Sequence, residues 1–164
     1  MSSSLKFDID DFRHAVSQYA TGIVVVAGVE NGSLVGFAAQ SFVSLSLDPP
    51  LVLFCPQKSS TSWPRIRAGF NYGINILGAE HSDISEAFAV VGAVPDMSWK
   101  PSNHSGVPIL DESIAFLDCS HLAEHEAGDH TIVVSTVNGV LVRRAHDSPL
   151  IYLRGKYGTF VDSN

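Results

Sequence analysis

The sequence predicts a mainly β fold, an antiparallel barrel with short helices on its rim. Three observations support this prediction: about six apolar runs of strand length, turn signals such as Asn31-Gly32 between them, and helical stretches of only a few turns. Because long helices do not alternate with the strands, parallel βαβ winding fits poorly. The 164 residues have the size of one domain, so we expect residues 1–164 to fold as a single unit.

The N-terminal residues predict a helix followed by a β-hairpin. Asp8 or Asp10 is placed to cap the helix, and Gly22 is placed to end it. The apolar residues of this helix recur at helical spacing, at Phe12, Val16 and Tyr19. Residues 23–29 are rich in β-branched side chains, which favours a strand, and Asn31-Gly32 is typical of a tight turn. The chain is then expected to return as the partner strand.

The return strand is predicted to run from Leu34 to Leu47 and to present two different faces. In its second half apolar residues alternate with serines, namely Val43, Leu45 and Leu47 with Ser44 and Ser46. One face is therefore expected to be apolar, whereas the other offers hydroxyl groups to a ligand. Asp48-Pro49-Pro50 ends the strand because proline has no N–H for a ladder bond, and residues 51–54 form the next strand.

The remainder of the chain predicts further short helices and strands. Helices are expected at residues 62–68 and 82–90, and strands at residues 72–77, 113–126, 131–142 and 150–153. Ser62 is the expected N-cap of the first of these helices, with Pro64 in its first turn. The two long strands are joined at Ala127-Gly128-Asp129. Residues 91–107 lack periodicity and contain glycine and proline, which predicts a long loop.

Charge and hydropathy argue against two classes of partner. The net charge of -7, with only 10 lysines and arginines, provides no basic surface for nucleic acid. No apolar run reaches the roughly 20 residues that a membrane span needs. The opening Met1-Ser2-Ser3-Ser4 is not followed by a positively charged, apolar signal sequence. We therefore expect a soluble cytoplasmic protein whose partners are small molecules or proteins.

Metal binding and thiol chemistry are not indicated by the sequence. Cys55 and Cys119 both lie in strand-like apolar runs, where a reduced, buried thiol is the usual outcome. His121, His125 and His130 could suggest a metal cluster, but residues four apart converge only on a helix. This stretch alternates like a strand, so surface histidines and no metal site are expected.

A hydroxyl-rich loop follows the strand at residues 51–54. Lys58-Ser59-Ser60-Thr61-Ser62 places a cation, four hydroxyls and the free N–H groups of a helix start close together, which suits a phosphate. Serine-rich loops before helices are also ordinary caps, so the loop alone leaves both interpretations open. Earlier residues favour the phosphate, because small side chains let a flat ring approach the backbone and polar ones can bond its edge. The small residues are Gly36, Ala38 and Ala39, and the polar ones are Gln40, Ser41 and Ser44.

These segments together carry a family resemblance. The stretch from Gly36 to Cys55, with Lys58 to Ser62 after it, closely resembles the signature of the short-chain flavin reductases of two-component monooxygenase systems. These reductases belong to the flavin reductase-like family of split-barrel, flavin-binding proteins. Further matching segments are Phe12-Arg13 with Ala20-Thr21-Gly22, Gly128-Asp129-His130, and Tyr152 to Tyr157. The resemblance covers almost the whole chain.

The resemblance implies a homodimer of antiparallel split β-barrels of Greek-key type. FMN or FAD would lie across the strand at residues 36–41, with its phosphate near residues 58–62. The candidate flavin-site residues are Gly36, Phe37, Ala38, Ala39, Gln40, Ser41, Ser44, Cys55, Pro56, Gln57, Lys58, Ser59, Ser60, Thr61, Ser62 and Phe88.

The resemblance also implies a nicotinamide side of the site. His130 is the candidate catalytic residue there, with Tyr152, Arg154, Gly155 and Tyr157 as candidate cofactor-binding residues. A lone histidine in a turn is more often solvated, so its place in Gly-Asp-His is what favours the functional role. Arg154 would meet the phosphates of the nicotinamide cofactor. No dinucleotide-binding glycine fingerprint is present, so the nicotinamide cofactor is expected to stack rather than to use a Rossmann unit.

The implied activity is hydride transfer from NADH or NADPH to FMN or FAD, with reduced flavin passing to a separate oxygenase. The sequence leaves open which flavin and which nicotinamide nucleotide is used. Relatives commonly carry Asp-Lys-Phe or Asp-Arg-Phe in the loop after the Phe88 helix, whereas residues 89–97 of this chain read AVVGAVPDM. Two alternatives stay open: a flavoprotein that retains its flavin and acts on another small substrate, and a non-catalytic flavin-binding protein.

Overall fold

The computed structural model describes residues 6–92 and 95–163. Within these residues there are three helices, all short, and twelve strands. In chain order they are α1 (Ile9–Val16), β1 (Thr21–Gly22), β2 (Val24–Glu30), β3 (Ser33–Ala39), β4 (Val43–Leu47), β5 (Pro50–Phe54), α2 (Trp63–Ala68), β6 (Asn71–Leu77), α3 (Ser82–Ala89), β7 (Trp99–Pro101), β8 (Pro108–Leu110), β9 (Ser113–Ala127), β10 (His130–Val142), β11 (Leu150–Leu153) and β12 (Lys156–Thr159). No helix in these ranges is long and apolar enough to cross a membrane.

Seven strands form the main sheet, in the order β3-β2-β6-β9-β10-β5-β4. All its neighbours are antiparallel, which confirms the predicted fold class. The two outer strands, β3 and β4, are consecutive in the chain and are separated by residues 40–42 alone. Because four Cα–Cα steps span at most about 14 Å, the sheet must curl until its two edges lie close together. The outer strands do not pair within the described residues, so the barrel is split at this point.

The break at residues 40–42 corrects the prediction of one continuous return strand. Ser41 leaves the ladder because its hydroxyl oxygen accepts a hydrogen bond from the Cys55 N–H at 2.9 Å, which ties the joint to the end of β5. The apolar face predicted for β4 is exposed rather than buried: Val43 is 50% exposed, Leu45 47% and Leu47 90%. An edge strand has a neighbour on one side only, so alternation predicted the strand correctly but not what covers its apolar face.

The predicted cap of the first helix and the predicted hairpin turn are confirmed, but the predicted end of that helix is wrong. Asp8 caps α1, its carboxylate accepting from the Asp10 N–H at 2.9 Å. The helix ends at Val16 rather than at Gly22, and Thr21 and Gly22 instead pair with Tyr152 and Ile151 of β11. The Asn31-Gly32 turn has positive φ angles of 51° and 79°, as a two-residue hairpin requires.

Three short strands in the C-terminal half were missed from the sequence. β7 lies inside the predicted loop of residues 91–107 and pairs with β8. β12 pairs with β11 across a two-residue turn at Arg154 and Gly155, whose φ angles are 51° and 77°. Arg154 is an unusual residue for such a turn, which explains why turn signals did not reveal the hairpin.

The core consists of two main clusters that meet along β2. Val24 and Val26 point to one cluster, with Phe54, Trp63 and Tyr72, among others. Ile23, which precedes β2, belongs with Val25 and Ala27 to the other cluster, whose further members include Leu77, Ile84 and Phe88. Since successive residues of a strand face opposite sides, β2 is buried on both faces. Phe37 and Ala38 on β3 also pack on opposite clusters, so the end of β3 lies where the two clusters meet.

Candidate active site

A cleft of about 500 Å³ opens where the end of β3 meets the loop between β5 and α2. The end of α3, the start of β10 and the β11–β12 hairpin complete its walls. It brings together most of the residues proposed from the sequence. These are Phe37, Ala38, Ala39, Gln40, Ser41, Cys55, Pro56, Gln57, Ser59, Ser60, Thr61, Ser62, Phe88, His130, Tyr152 and Tyr157.

Five proposed residues lie elsewhere. Arg154 and Gly155 line an adjoining pocket of about 400 Å³, which shares Gln40 and Tyr152 with the cleft. The other three, Gly36, Ser44 and Lys58, line neither cavity.

Gly36 was predicted to let a flat ring approach the backbone, and in the structure its missing side chain makes room for a protein ring. A Cβ at this position would lie 2.7 Å from Cε1 of Phe88 and 3.0 Å from the carbonyl oxygen of Val26. The missing side chain therefore makes room for the Phe88 ring, not directly for a ligand. Phe88 is 3% exposed and forms part of the cleft wall, so Gly36 shapes the cleft from behind.

Sequence reasoning missed five residues of the cleft: Ile23, Ser85, Ala89, Val90 and Val91. Helical spacing could have revealed Ser85, because residues three apart share a helix face and Phe88 was already proposed. The others offer no polar signal and are brought to the cleft only by the tertiary structure.

Backbone hydrogen bonds join the hydroxyl-rich loop to the Gly128-Asp129-His130 turn. The Lys58 N–H donates to the Asp129 carbonyl at 2.9 Å, and the Thr131 N–H donates to the Pro56 carbonyl at 3.0 Å. Between them Gln57 and His130 form an isolated antiparallel bridge. The two motifs are therefore parts of one short ladder at the edge of the cleft.

The Lys58 ammonium points away from the cleft toward β9. It forms an ion pair with the Glu126 carboxylate, and its side chain is 42% exposed. Exposed pairs of this kind are weak, so the pairing can be exchanged for another anion. In the structure, however, the cation does not contribute to the cleft lining.

The hydroxyls that do line the cleft belong to residues 59–62. The Ser60 hydroxyl oxygen accepts from the Trp63 N–H at 3.1 Å, and the Ser59 hydroxyl donates to Gln57 Oε1 at 3.3 Å. Ser62 occupies the predicted N-cap position of α2, but its side chain makes no capping bond. Ser60 caps the helix instead, which leaves the hydroxyls of Thr61 and Ser62 for other partners.

His130 is oriented by its neighbour in the sequence. Its Nδ1 lies 2.8 Å from Oδ1 of Asp129. The hydrogen bond with His130, helped by the charges of His130 and Lys58, lowers the pKa of the Asp129 carboxyl. The ionised carboxylate can only accept, so Nδ1 carries the proton and Nε2 is the nitrogen left for a ligand.

The cleft also contains a thiol and two paired tyrosines. Burial raises the pKa of the Cys55 thiol, an effect that its hydrogen bond with Ser41 only partly offsets, so this wall of the cleft is uncharged. The rings of Tyr152 and Tyr157 pack edge to face with centroids 5.3 Å apart. The Tyr157 hydroxyl lies 3.1 Å from the Ser85 hydroxyl and joins the hairpin to α3.

Titratable side chains elsewhere do not form a metal centre. In the part of the chain that the structure describes, no three His, Cys, Asp or Glu side chains converge as metal ligands would. Cys119 is fully buried, and burial together with the Asp118 charge raises its thiol pKa to about 12.

Comparison with known proteins identifies the family of this chain. The model of the flavin reductase like domain matches residues 16–160. The reductase subunit HsaB of a flavin-dependent monooxygenase from Mycobacterium tuberculosis is 40% identical, over 94% of this chain and 83% of that protein. The FMN reductase (NADH) SmoA of Agrobacterium fabrum is 38% identical, over 91% of this chain and 84% of that protein.

Solved structures agree as well. A nitrilotriacetate monooxygenase component B homologue from Mycobacterium thermoresistibile superimposes with a TM-score of 0.86 at 39% identity. The match covers 93% of this chain and 86% of the other. Residues 16–160, which match the family model, include all residues that line the cleft, from Ile23 to Tyr157. This chain belongs to the flavin reductase-like family.

Proposed function

We propose that this protein is an NAD(P)H:flavin oxidoreductase that supplies reduced flavin to a separate oxygenase component. The observation that carries the proposal is the ladder joining the hydroxyl-rich loop to His130, because it links at one cleft the two motifs to which we assign the flavin phosphate and the nicotinamide. The names of the relatives support the same activity: HsaB is a monooxygenase reductase subunit and SmoA an NADH-dependent FMN reductase.

The residues of the cleft fit a flavin mononucleotide. The cleft volume of about 500 Å³ lies within the range of ordinary small-molecule sites. Ala38 and Ala39 allow close approach of a flat ring, and Gln40 and Ser41 offer polar groups at its edge. Hydroxyls of residues 59–62 would bind the phosphate. When bound, the flavin supplies the acceptor for a hydride from the nicotinamide.

The protein's own residues then have binding and orienting roles. His130 presents Nε2 toward the nicotinamide while Asp129 holds the ring, and Tyr152 and Tyr157 cover the cleft and exclude water. Cys55 stays protonated and adds no charge beside the ring. Arg154, which lines the adjoining pocket, would meet the phosphates of the nicotinamide cofactor. Catalysis on this proposal is mainly orientation, so no acid–base pair is required.

A homodimer is part of the same proposal. It is supported by the exposed apolar side chains of the edge strand β4, at Val43, Leu45 and Leu47. A second copy would cover this edge. We propose a cytoplasmic location because the reaction consumes nicotinamide nucleotides, which are metabolites of that compartment.

The alternative of a retained flavin keeps one observation in its favour. Val90 and Val91, which follow α3, line the cleft although they are 62% and 80% exposed. Apolar side chains at the rim could hold a bound ring or accept another small substrate. The non-catalytic flavin-binding protein shares the same cleft.

Steady-state oxidation of NADH and of NADPH with FMN, FAD or riboflavin tests all three functions. Turnover of free flavin supports the reductase. Stoichiometric flavin that stays bound, without turnover of added flavin, favours the retained-flavin protein. Binding of flavin without any oxidation of either nicotinamide nucleotide favours the non-catalytic protein.

A further inference from the structure

Glu124, which lies outside the cleft, contacts two side chains of helix α2. Glu124 of β9 accepts a hydrogen bond from Trp63 Nε1 at 3.0 Å, and its other oxygen lies 3.3 Å from the Arg67 guanidinium. Its side chain is only 21% exposed. His121 Nε2 lies 3.4 Å from the same carboxylate. Neither Glu124 nor Arg67 lines the cleft.

The spacing of the two helix residues makes this a tie to one helix face. Trp63 and Arg67 are four residues apart, so their side chains lie one above the other on α2. The Glu124 carboxylate on β9 therefore contacts two successive turns of α2 on the same face of the helix. Because α2 is short, this tie fixes its orientation on the sheet.

Trp63 passes this constraint to the hydroxyl-rich loop. The backbone N–H of Trp63 donates to the Ser60 hydroxyl at 3.1 Å, and Trp63 directly follows Ser62 in the chain. Its ring packs edge to face on Phe54 and Tyr72, with centroid distances of 5.2 and 5.4 Å. The ring is thus held by packing on its faces and by Glu124 at its one polar atom.

We propose that Glu124 is a positioning residue that sets the preference for a phosphorylated flavin over riboflavin. It acts through Trp63 on the hydroxyls of Ser60 and Ser62, and it does not touch the ligand. The inference rests on the proposed function, and within it on a phosphate bound by residues 59–62. It assigns the discrimination between FMN and riboflavin to a residue that does not line the cleft.

The physical reason is the cost of an unpaired indole N–H. Trp63 is 6% exposed, so without Glu124 its Nε1 would be buried with no acceptor. The ring regains a partner by turning toward solvent. Such a turn moves the Trp63 backbone, and with it the Ser60 hydroxyl that the Trp63 N–H holds.

The test compares FMN with riboflavin in Glu124→Ala. We expect the KM for FMN to rise about fivefold, the equivalent of one hydrogen bond, and the KM for riboflavin to stay within about twofold. Trp63→Phe removes the donor without leaving an unpaired N–H, so it should change the ratio of the two KM values less than Glu124→Ala does. The double variant Glu124→Ala/Trp63→Phe should be no worse than either single variant, because both remove one interaction.

Two further variants separate positioning from general stability. Glu30→Ala breaks the other ion pair of α2, in which Arg65 Nε lies 2.7 Å from the Glu30 carboxylate, on the side of β2. It should lower the melting temperature without changing the ratio of the two KM values. Glu124→Gln keeps an acceptor for Trp63 and should restore the ratio toward that of the wild type.

Each outcome decides the matter. A Glu124→Ala enzyme that folds and keeps the wild-type ratio overturns the positioning role, and so does an equal change of ratio in Glu30→Ala. A wild-type enzyme that turns over flavin but does not distinguish FMN from riboflavin removes the phosphate site and this inference with it. A wild-type protein without flavin reduction instead contradicts the proposed function.

Discussion

The two walls of the cleft are built in different ways. The strand wall, residues 37–41, 55–57, 59–62 and 130, is held by backbone hydrogen bonds, such as that from the Lys58 N–H to the Asp129 carbonyl at 2.9 Å. The helix wall, residues 85 and 88–91 with Tyr152 and Tyr157, is held by side-chain packing and by the hydrogen bond between the Tyr157 and Ser85 hydroxyls. Polar recognition therefore falls to the strand wall.

This difference indicates which wall can adapt. Backbone ladders fix their donors and acceptors in place, whereas side-chain contacts at the end of a short helix open at low cost. The helix wall ends at Val90 and Val91, which are largely exposed. We expect the strand wall to decide what binds and the helix wall to adjust to its shape.

The largest effect is expected from closing the space behind the helix wall. In Gly36→Ala the new methyl group collides with the Phe88 ring and with the backbone of β2, so α3 must move. We expect a loss of about 1–3 kcal/mol in the free energy of unfolding and weaker FMN binding. Urea unfolding and flavin fluorescence titration measure the two.

Two comparisons control this prediction. Gly158→Ala adds a methyl group where nothing lies within 4 Å and should be close to neutral. Adding Phe88→Leu to Gly36→Ala should recover part of the stability by relieving the collision. Unchanged stability in Gly36→Ala would show that α3 is not packed against β3 as described.

The next effect concerns the strand wall. His130→Ala removes the group that Asp129 orients, so kcat/KM for the nicotinamide nucleotide should fall about tenfold or more. Asp129→Asn keeps the imidazole and should fall less. His125→Ala, an exposed histidine on β9 away from the cleft, is the control. Equal rates in His130→Ala and His125→Ala would remove the role of His130.

A smaller effect is expected from loosening the helix wall. Tyr157→Phe and Ser85→Ala each break the same hydrogen bond, so each should cost about 0.5–1.5 kcal/mol of stability. Because this wall adjusts to its ligand, FMN affinity should change less than in Gly36→Ala. Loss of FMN binding in Tyr157→Phe alone would instead give its hydroxyl a direct contact with the ligand.

The smallest effect is a change of labelling rate. Because its pKa is raised by burial, the Cys55 thiol should react with iodoacetamide more slowly at pH 8 than a free thiol, and Cys119 should not react. Saturating FMN should slow Cys55 further, as followed by intact mass. Cys55→Ser identifies the labelled site, and an unchanged rate with FMN would place the flavin away from the strand wall.

Much of the fold followed from local patterns. The β2–β3 and β9–β10 hairpins were predictable because Asn31-Gly32 and Ala127-Gly128-Asp129 specify turns between alternating runs. The joint at residues 40–42 was not, since the bond between Ser41 and Cys55 that interrupts the strand is a tertiary contact. The β11–β12 turn was hidden because Arg154 adopts a conformation that usually belongs to glycine or asparagine.

The sequence pointed to the polar residues of the candidate site. Serines and a Gly-Asp-His turn are visible as motifs, whereas Ala89, Val90 and Val91 have no chemistry to distinguish them. Lys58 shows the opposite limit: its position in the loop was read correctly, but the partner that directs its side chain, Glu126, lies on another strand. Residue type predicts which interactions a side chain can make, and its neighbours in the folded structure decide which of them it makes.

The joint between β3 and β4 also bears on how the chain reaches its native state. The β2–β3, β4–β5 and β9–β10 hairpins are local in sequence and can form early. The cleft has no counterpart in any single hairpin, because its walls come from both sides of the joint. The cleft forms only when elements on both sides of the joint have docked, so we expect nucleotides to bind the folded protein and not an isolated hairpin.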